Sequence, residues 1–255
     1  MKKQLLISVV LLTTLSLVGF GVMNSAHCFN THVQANADST KLIADVNFLY
    51  DFGPRFDLTV TKQELAEVSS MKDLYHEESI VEYMQVAITV VENEGLTAKR
   101  VTGGNETLND SQLDFLKSFD YSTNFQIGGN VVRKNAETGE LENGFSRPHI
   151  TVVPENQAEF EEGRNALLSY LKDGSREAIS ELNQKNLQPG KIYFTISVNG
   201  TISGVKMLLS CGYSSVDDLM VELISKNKGR WLPASNSEGE IVEQDLVFSF
   251  GDMGC

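Results

Sequence analysis

Ile192, Phe194, Ile196 and Val198 alternate with Tyr193, Thr195 and Ser197. A period of two over this length predicts a half-buried strand at Lys191–Val198. Asn199-Gly200 follows directly, a hairpin signal because such turns need positive φ angles. The return strand is expected at Thr201–Leu209, with Ile202, Val205, Met207 and Leu209 turned mainly to the core. The period then changes. Val216, Leu219, Met220, Leu223 and Ile224 form the apolar stripe of a helix, which Ser215 and Asp218 are expected to open as a capping box. Trp231-Leu232-Pro233-Ala234 ends helical structure, and after the turn at Glu238-Gly239 the residues Leu246, Phe248 and Phe250 alternate as a last strand. The pattern predicts one helix over a three-stranded antiparallel sheet.

Upstream, residues 45–153 read as an α/β unit. Val46–Phe52 alternates like a strand and stops at Gly53-Pro54. Thr61 with Glu64 makes a capping box for a helix carrying Leu65, Val68, Met71 and Leu74. Val81–Val91 is a strand-like run closed by Glu92-Asn93-Glu94-Gly95. Asn109 with Gln112 caps a short helix bearing Leu113, Leu116 and Phe119. Phe125–Arg133 and His149–Val153 read as strands around a polar loop. Between this unit and the last one, Pro154 is expected to open a helix over Glu155–Leu171. Asp173-Gly174 is expected to break it, and Ser175 to restart a second helix to about Lys185. The expected fold class is α+β. Its divisions are a targeting segment at 1–37, an α+β domain at 42–153, a helical connector at 154–189 and a β-β-α-β domain at 190–255.

The N-terminus fixes topology. Lys2 and Lys3 precede an apolar run from Leu5 to Met23 without charge, the pattern of an export signal that is also long enough to span a bilayer. Two fates are open: cleavage, with Ala35-Asn36-Ala37 as the candidate site, or retention as a membrane anchor. Both place the rest of the chain outside the cytoplasm. The net charge of −13 argues against nucleic acid and anionic lipid as partners. Export also admits a disulfide between Cys211 and Cys255, with two free thiols as the alternative. No zinc-like cluster, phosphate loop or Gly-x-Ser-x-Gly motif occurs. His76 stands in an acidic turn and His149 at a strand start. Neither an enzyme nor a cofactor or metal site is expected.

The C-terminal motifs in their order are strand, Asn199-Gly200, strand, a helix opening Ser215-x-Asp217, Trp231-x-Pro233-Ala234, the Gly239 turn and a final strand. Over residues 190–251 this resembles the C-terminal domain of the TonB family. The resemblance implies a periplasmic protein that binds its partner by β-strand addition. That partner would resemble an outer-membrane receptor, with inner-membrane energy supplied through an ExbB–ExbD-like motor. It also implies a sheet order 2-1-3 whose final strand is a free edge. The expected docking residues are therefore Val242, Glu243, Gln244, Asp245, Leu246, Val247, Phe248, Ser249 and Phe250. Two departures separate this chain from a transducer: it has no long Pro-rich spacer, and Leu5–Met23 contains no histidine. The alternative is a cleaved binding module without energy transduction.

Overall fold

The computed structural model describes residues 48–92, 95–183 and 186–252. The targeting segment, Cys28 and Cys255 lie outside the described residues. Strand β1 (Leu49–Gly53) is followed by β2 (Leu58–Thr61), helices α1 (Lys62–Glu67) and α2 (Met71–Leu74), and strands β3 (Ile80–Glu92) and β4 (Gly95–Gly103). Helix α3 (Asp110–Lys117) leads to β5 (Asn124–Lys134), β6 (Leu141–Ser146) and β7 (His149–Val153). Then come β8 (Glu159–Phe160), α4 (Arg164–Ser180), β9 (Pro189–Ile196), β10 (Ile202–Leu209) and α5 (Ser214–Ser225). The chain closes with β11 (Trp231–Leu232), β12 (Ala234–Ser235), β13 (Ile241–Val242) and β14 (Gln244–Gly251). The class is α+β, built on two main sheets.

One sheet has the order β2-β7-β5-β3-β4, with β6 also on β5. Only β2 and β7 run parallel among its pairs. Its inner face takes Val86, Ile88, Phe125, Ile127 and Val131 against Leu65, Met71, Leu74, Leu116 and Phe119 from the helical segments. Both N-terminal capping boxes form: Thr61 with Glu64, and Asn109 with Gln112. The helix expected through Leu74 divides in two, however. Val68 is extended, and Ser70 begins a new capping box with Asp73. The Asp73 carboxylate accepts from the Ser69 and Ser70 N–H groups at 2.9 and 2.7 Å, so the second turn restarts instead of continuing. All four apolar positions are still buried. Strands β4 and β6 fall where no strand was expected, because their residues are exposed and polar and lack a sustained period of two.

The second sheet has the order β1-β14-β9-β10. Its centre matches the expected 2-1-3 arrangement, but a fourth strand has been added. β1 does not join the six-stranded sheet of the strands that follow it and pairs antiparallel with β14, from Leu49 opposite Gly251 to Gly53 opposite Val247. The core of this half joins Phe194, Phe248 and Phe250 from the sheet to Val216, Met220 and Ile224 of α5 and to Leu167, Leu171 and Ile179 of α4.

The connector therefore belongs to the C-terminal core. Residues 154–163 are not helical. Phe160 pairs with Trp231 through β8 and β11, and Gly163, at φ +85°, precedes α4. Helix α4 then runs unbroken through Asp173-Gly174. A Cβ at Gly174 would stand 2.7 Å from Leu223, so this glycine permits close approach to α5 and the intact hydrogen-bond ladder keeps it helical. Three further corrections concern the hairpin and its helix. Gly200 has φ +72° while Asn199 does not take positive φ, so only one turn residue is left-handed. Leu209 is exposed. Helix α5 starts after Tyr213 without a side-chain cap, so Ser215 and Asp218 do not form the expected box.

Candidate functional site

The expected docking residues do not form a free edge. Val242 pairs with Ala234 in the small β12–β13 hairpin, and Glu243 is an exposed link. From Gln244 onward the strand lies between β9 and, along Val247–Gly251, β1. Its N–H and C=O groups there are already engaged by the protein's own chain, so simple addition of a partner strand is closed. Leu246, Phe248 and Phe250 point into the core, while Val247 is buried on the opposite face. Gln244 is buried too, and its Oε1 accepts from the backbone N–H of Ala158 at 2.7 Å. On the outer face Thr195 donates to Asp245 at 2.7 Å, and the Asp245 N–H donates to Ser122 at 2.8 Å. Burial, with Asp245 as second cause, raises the pKa of the neighbouring Tyr193.

What holds β1 in place is a row of rings. Phe48, Tyr50 and Phe52 share one face by the period of two. Phe48 stacks on Phe250 at 6.2 Å, Tyr50 meets Phe248 at 6.2 Å, and Phe52 meets Trp231 edge-on at 5.8 Å. The Tyr50 hydroxyl is 2.7 Å from the hydroxyl of Ser175, a buried residue of α4. Burial raises the Tyr50 pKa against that hydrogen bond. Arg164 donates to the Phe52 carbonyl at 2.6 Å, pairs with Asp51 and lies over the Phe52 ring. The ion pair is solvent-exposed, so it contributes at most about 1 kcal/mol; ring burial is the main attachment.

The motif residues converge on one end of this sheet. Trp231 is buried against Phe52, Phe160 and Phe194. A Cβ at Gly200 would collide with the Trp231 carbonyl oxygen, and Pro233 lies beside it. Asn199-Gly200 and Trp231-x-Pro233-Ala234 thus form one joint. Ala234 is fully buried, and Gly239, at φ +81°, turns the β12–β13 hairpin in open space. At the other end Asp217 is buried and reaches back from the first turns of α5. Its oxygens accept from Ser210 and, at 3.0 Å, from the Cys211 N–H. Ser215 is exposed and carries no such contact.

Cys211 is a buried free thiol whose pKa is pushed up to about 11, chiefly by burial, with Asp217 adding to it. A Cβ at Gly251 would stand 3.5 Å from that of Cys211, so the ends of β10 and β14 meet here without the two-strand gap that the order alone implies. The pairing with Cys255 lies outside the described residues.

At the opposite edge, no strand among the described residues pairs with the outer side of β10. Its register breaks between Ser203 and Lys206 and again between Met207 and Leu209. Such irregularities twist an edge away from regular pairing and discourage strand addition. Among the described residues no cluster of three metal-ligating side chains occurs. No described helix is long and apolar enough to cross a membrane; residues 5–23 are not among those described.

Comparison with known proteins adds nothing to this geometry: no family model, no curated protein and no solved structure matches the chain. The residues of the aromatic strap, Phe48, Tyr50 and Phe52, were legible as an alternating run but not as part of this site. Their period says that one face is buried, and it does not say against which sheet.

Proposed function

We propose that this is an exported protein-binding module of the TonB type. It holds an extended partner segment as an added strand on β14, and β1 is the resident strand that a partner replaces. The observation that carries the reading is the pairing of Leu49–Gly53 with Val247–Gly251. A segment from nearly 200 residues away in sequence lies where the last strand of the hairpin–helix–strand unit would otherwise be an edge. The occupant also states the specificity. A competing strand needs apolar rings at alternate positions to meet Phe250, Phe248 and Trp231, and a hydroxyl near Ser175 favours tyrosine in the middle. Replacement is thermodynamically reasonable because short peripheral strands open locally at lower cost than the whole fold.

A cross-strand lock tests this. Asp51 and Ser249 are direct partners, and such neighbours lie about 4.5–5.5 Å apart at Cα, within disulfide range. With both changed to Cys, and Cys28 and Cys255 changed to Ala, oxidation fastens β1 to β14. A labelled peptide copying Phe48–Gly53 is expected to bind the reduced protein and to bind the oxidised protein about tenfold or more weakly, a difference of about 1.4 kcal/mol or more. Equal capture in both states would remove β14 as the receiving edge.

The module acts in one of two settings: anchored by residues 5–23 and driven by an ExbB–ExbD-like motor towards an outer-membrane receptor, or released after signal cleavage without transduction. N-terminal sequencing of the protein from the envelope separates them. An intact Met1 supports the anchored form, and a start near residue 38 the released one.

A further inference from the structure

The outer face of the six-stranded sheet carries a groove of about 370 Å³ whose lining includes Ala87, Thr89 and Gly128 as a floor, Leu96 and Phe145 at its sides, and Arg100 and Arg147. Ala87 and Thr89 are buried although neither belongs to the helix-covered core cluster, whereas Leu96 and Phe145 are 57% and 45% exposed. The volume falls within the range of ligand clefts, about 300–1,000 Å³. Charge sets the groove apart. The chain has 34 acidic and 21 basic residues, and yet no carboxylate lines this cleft. Arg133, Arg164, Arg176 and Arg230 each pair with a carboxylate. Arg100 and Arg147 form no ion pair among the described residues. Arg147 is nevertheless placed, with its guanidinium 4.4 Å from the centre of the Phe145 ring, an arrangement that leaves its N–H edges available.

We infer that this groove binds an acidic, extended peptide segment of a partner protein, one carboxylate to each arginine with an apolar side chain between them. Guanidinium groups pair with carboxylates through two parallel hydrogen bonds, and they do so at lower desolvation cost than lysine. The strand arrangement supplies the spacing. Arg100 lies on β4 and Arg147 follows β6, with β3 and β5 between, so three strand spacings, roughly 14 Å, separate their backbones across the sheet. In an extended peptide, residues i and i+4 lie on the same side roughly 13 Å apart. The ligand then crosses the strands over the small floor residues, and its central side chain rests on that floor between Leu96 and Phe145. This site is independent of strand exchange on β14 and stands or falls by itself.

Fluorescence anisotropy on the full chain, purified in mild detergent, tests it with the labelled peptide Glu-Ser-Leu-Ser-Glu, its Gln-Ser-Leu-Ser-Gln counterpart and the closer-spaced Glu-Leu-Glu. Saturable binding of the first peptide is expected, weaker by about tenfold with Arg100→Gln or Arg147→Gln, as loss of one charge-assisted pair implies. Both control peptides are expected to bind more weakly to the unaltered protein. Retention of the folded circular-dichroism spectrum by both variants assigns the loss to the groove. Absence of saturable binding, equal binding by the glutamine peptide, or equal binding by the double variant Arg100→Gln/Arg147→Gln would overturn the assignment.

Discussion

The two sheets answer the same problem in different ways. The six-stranded sheet covers one face with short helices and leaves part of the other open, floored by small residues and rimmed by arginines. The four-stranded sheet gathers rings on its helix side: Tyr50 and Phe52 on β1 with Phe48 just before it, Phe248 and Phe250 on β14, and Trp231 at one end. Where the first exposes a face, the second closes an edge. An open face needs only local packing to persist, so it can wait for a ligand. A closed edge must be reopened, and the contacts that close it then define what can replace them.

Removing the ring at the joint breaks this contrast most strongly. Trp231→Ala deletes a buried indole in contact with three other rings, and such truncations cost about 3–5 kcal/mol. Denaturant unfolding should report a loss of that size. Hydrogen exchange should place it in β1, β9, β14 and α4, while β3 and β5 keep their protection, because their core contains no residue of the Trp231 cluster. Equal loss of protection in both sheets would mean that the two cores unfold as one.

A smaller effect separates two glycines of the same motif. Gly200 and Gly239 both have positive φ, yet only at Gly200 does a Cβ run into backbone, the Trp231 carbonyl. Gly239→Ala bears the conformational cost alone, about 1 kcal/mol, whereas Gly200→Ala adds displacement of the joint and should cost about 2 kcal/mol or more. Thermal unfolding of the two variants compares them directly. Similar losses would show that the turn and the tryptophan are not coupled.

What the sequence made legible follows from what periodicity can encode. Of the alternating run Lys191–Val198, β9 takes the residues up to Ile196 and Val198 is exposed in the turn; Leu246–Phe250 lies in β14, and these are the two central strands. Val216, Met220 and Ile224 face the core as their helical spacing implies. Periodicity is blind to the partner of a strand: Val46–Phe52 reads as part of the 45–153 unit, whereas β1 pairs with β14, and the free edge at Val242–Phe250 is an implication of the resemblance alone. It is equally blind to close approach. Asp173-Gly174 carries a breaker's composition, yet Gly174 lies within the continuous helix α4, and Leu223 of α5 occupies the space where its side chain would be. The arginine groove left no local signal at all, since its lining comes from β3, β4, β5 and β6 and from Arg147 beyond it. The absence of neighbouring carboxylates is a property of the folded surface.

The finest distinction between the halves is their response to pH, which should run in opposite directions. In the six-stranded sheet, burial first and the charge of Arg55 second lower the pKa of His149 below 6.5. The folded state therefore resists protonation of this ring, which stands 2.9 Å from Gln126 and packs against Phe56. Its contribution is present above pH 6.5 and is lost as pH falls through the lower folded value. In the four-stranded sheet the Cys211 thiol is held protonated, its pKa moved from 9.0 up to about 11. The folded state retains that proton more tightly than the unfolded chain, so the contribution is complete below pH 9 and is lost as pH rises towards 11. Thermal unfolding followed across this range should show an acid decline that His149→Gln flattens and an alkaline decline that Cys211→Ala flattens. Each substitution should leave the other limb unchanged. If Cys211→Ala leaves the alkaline limb as steep as before, that limb belongs to other groups, with Tyr50 and Tyr193 next to be tested because burial raises both.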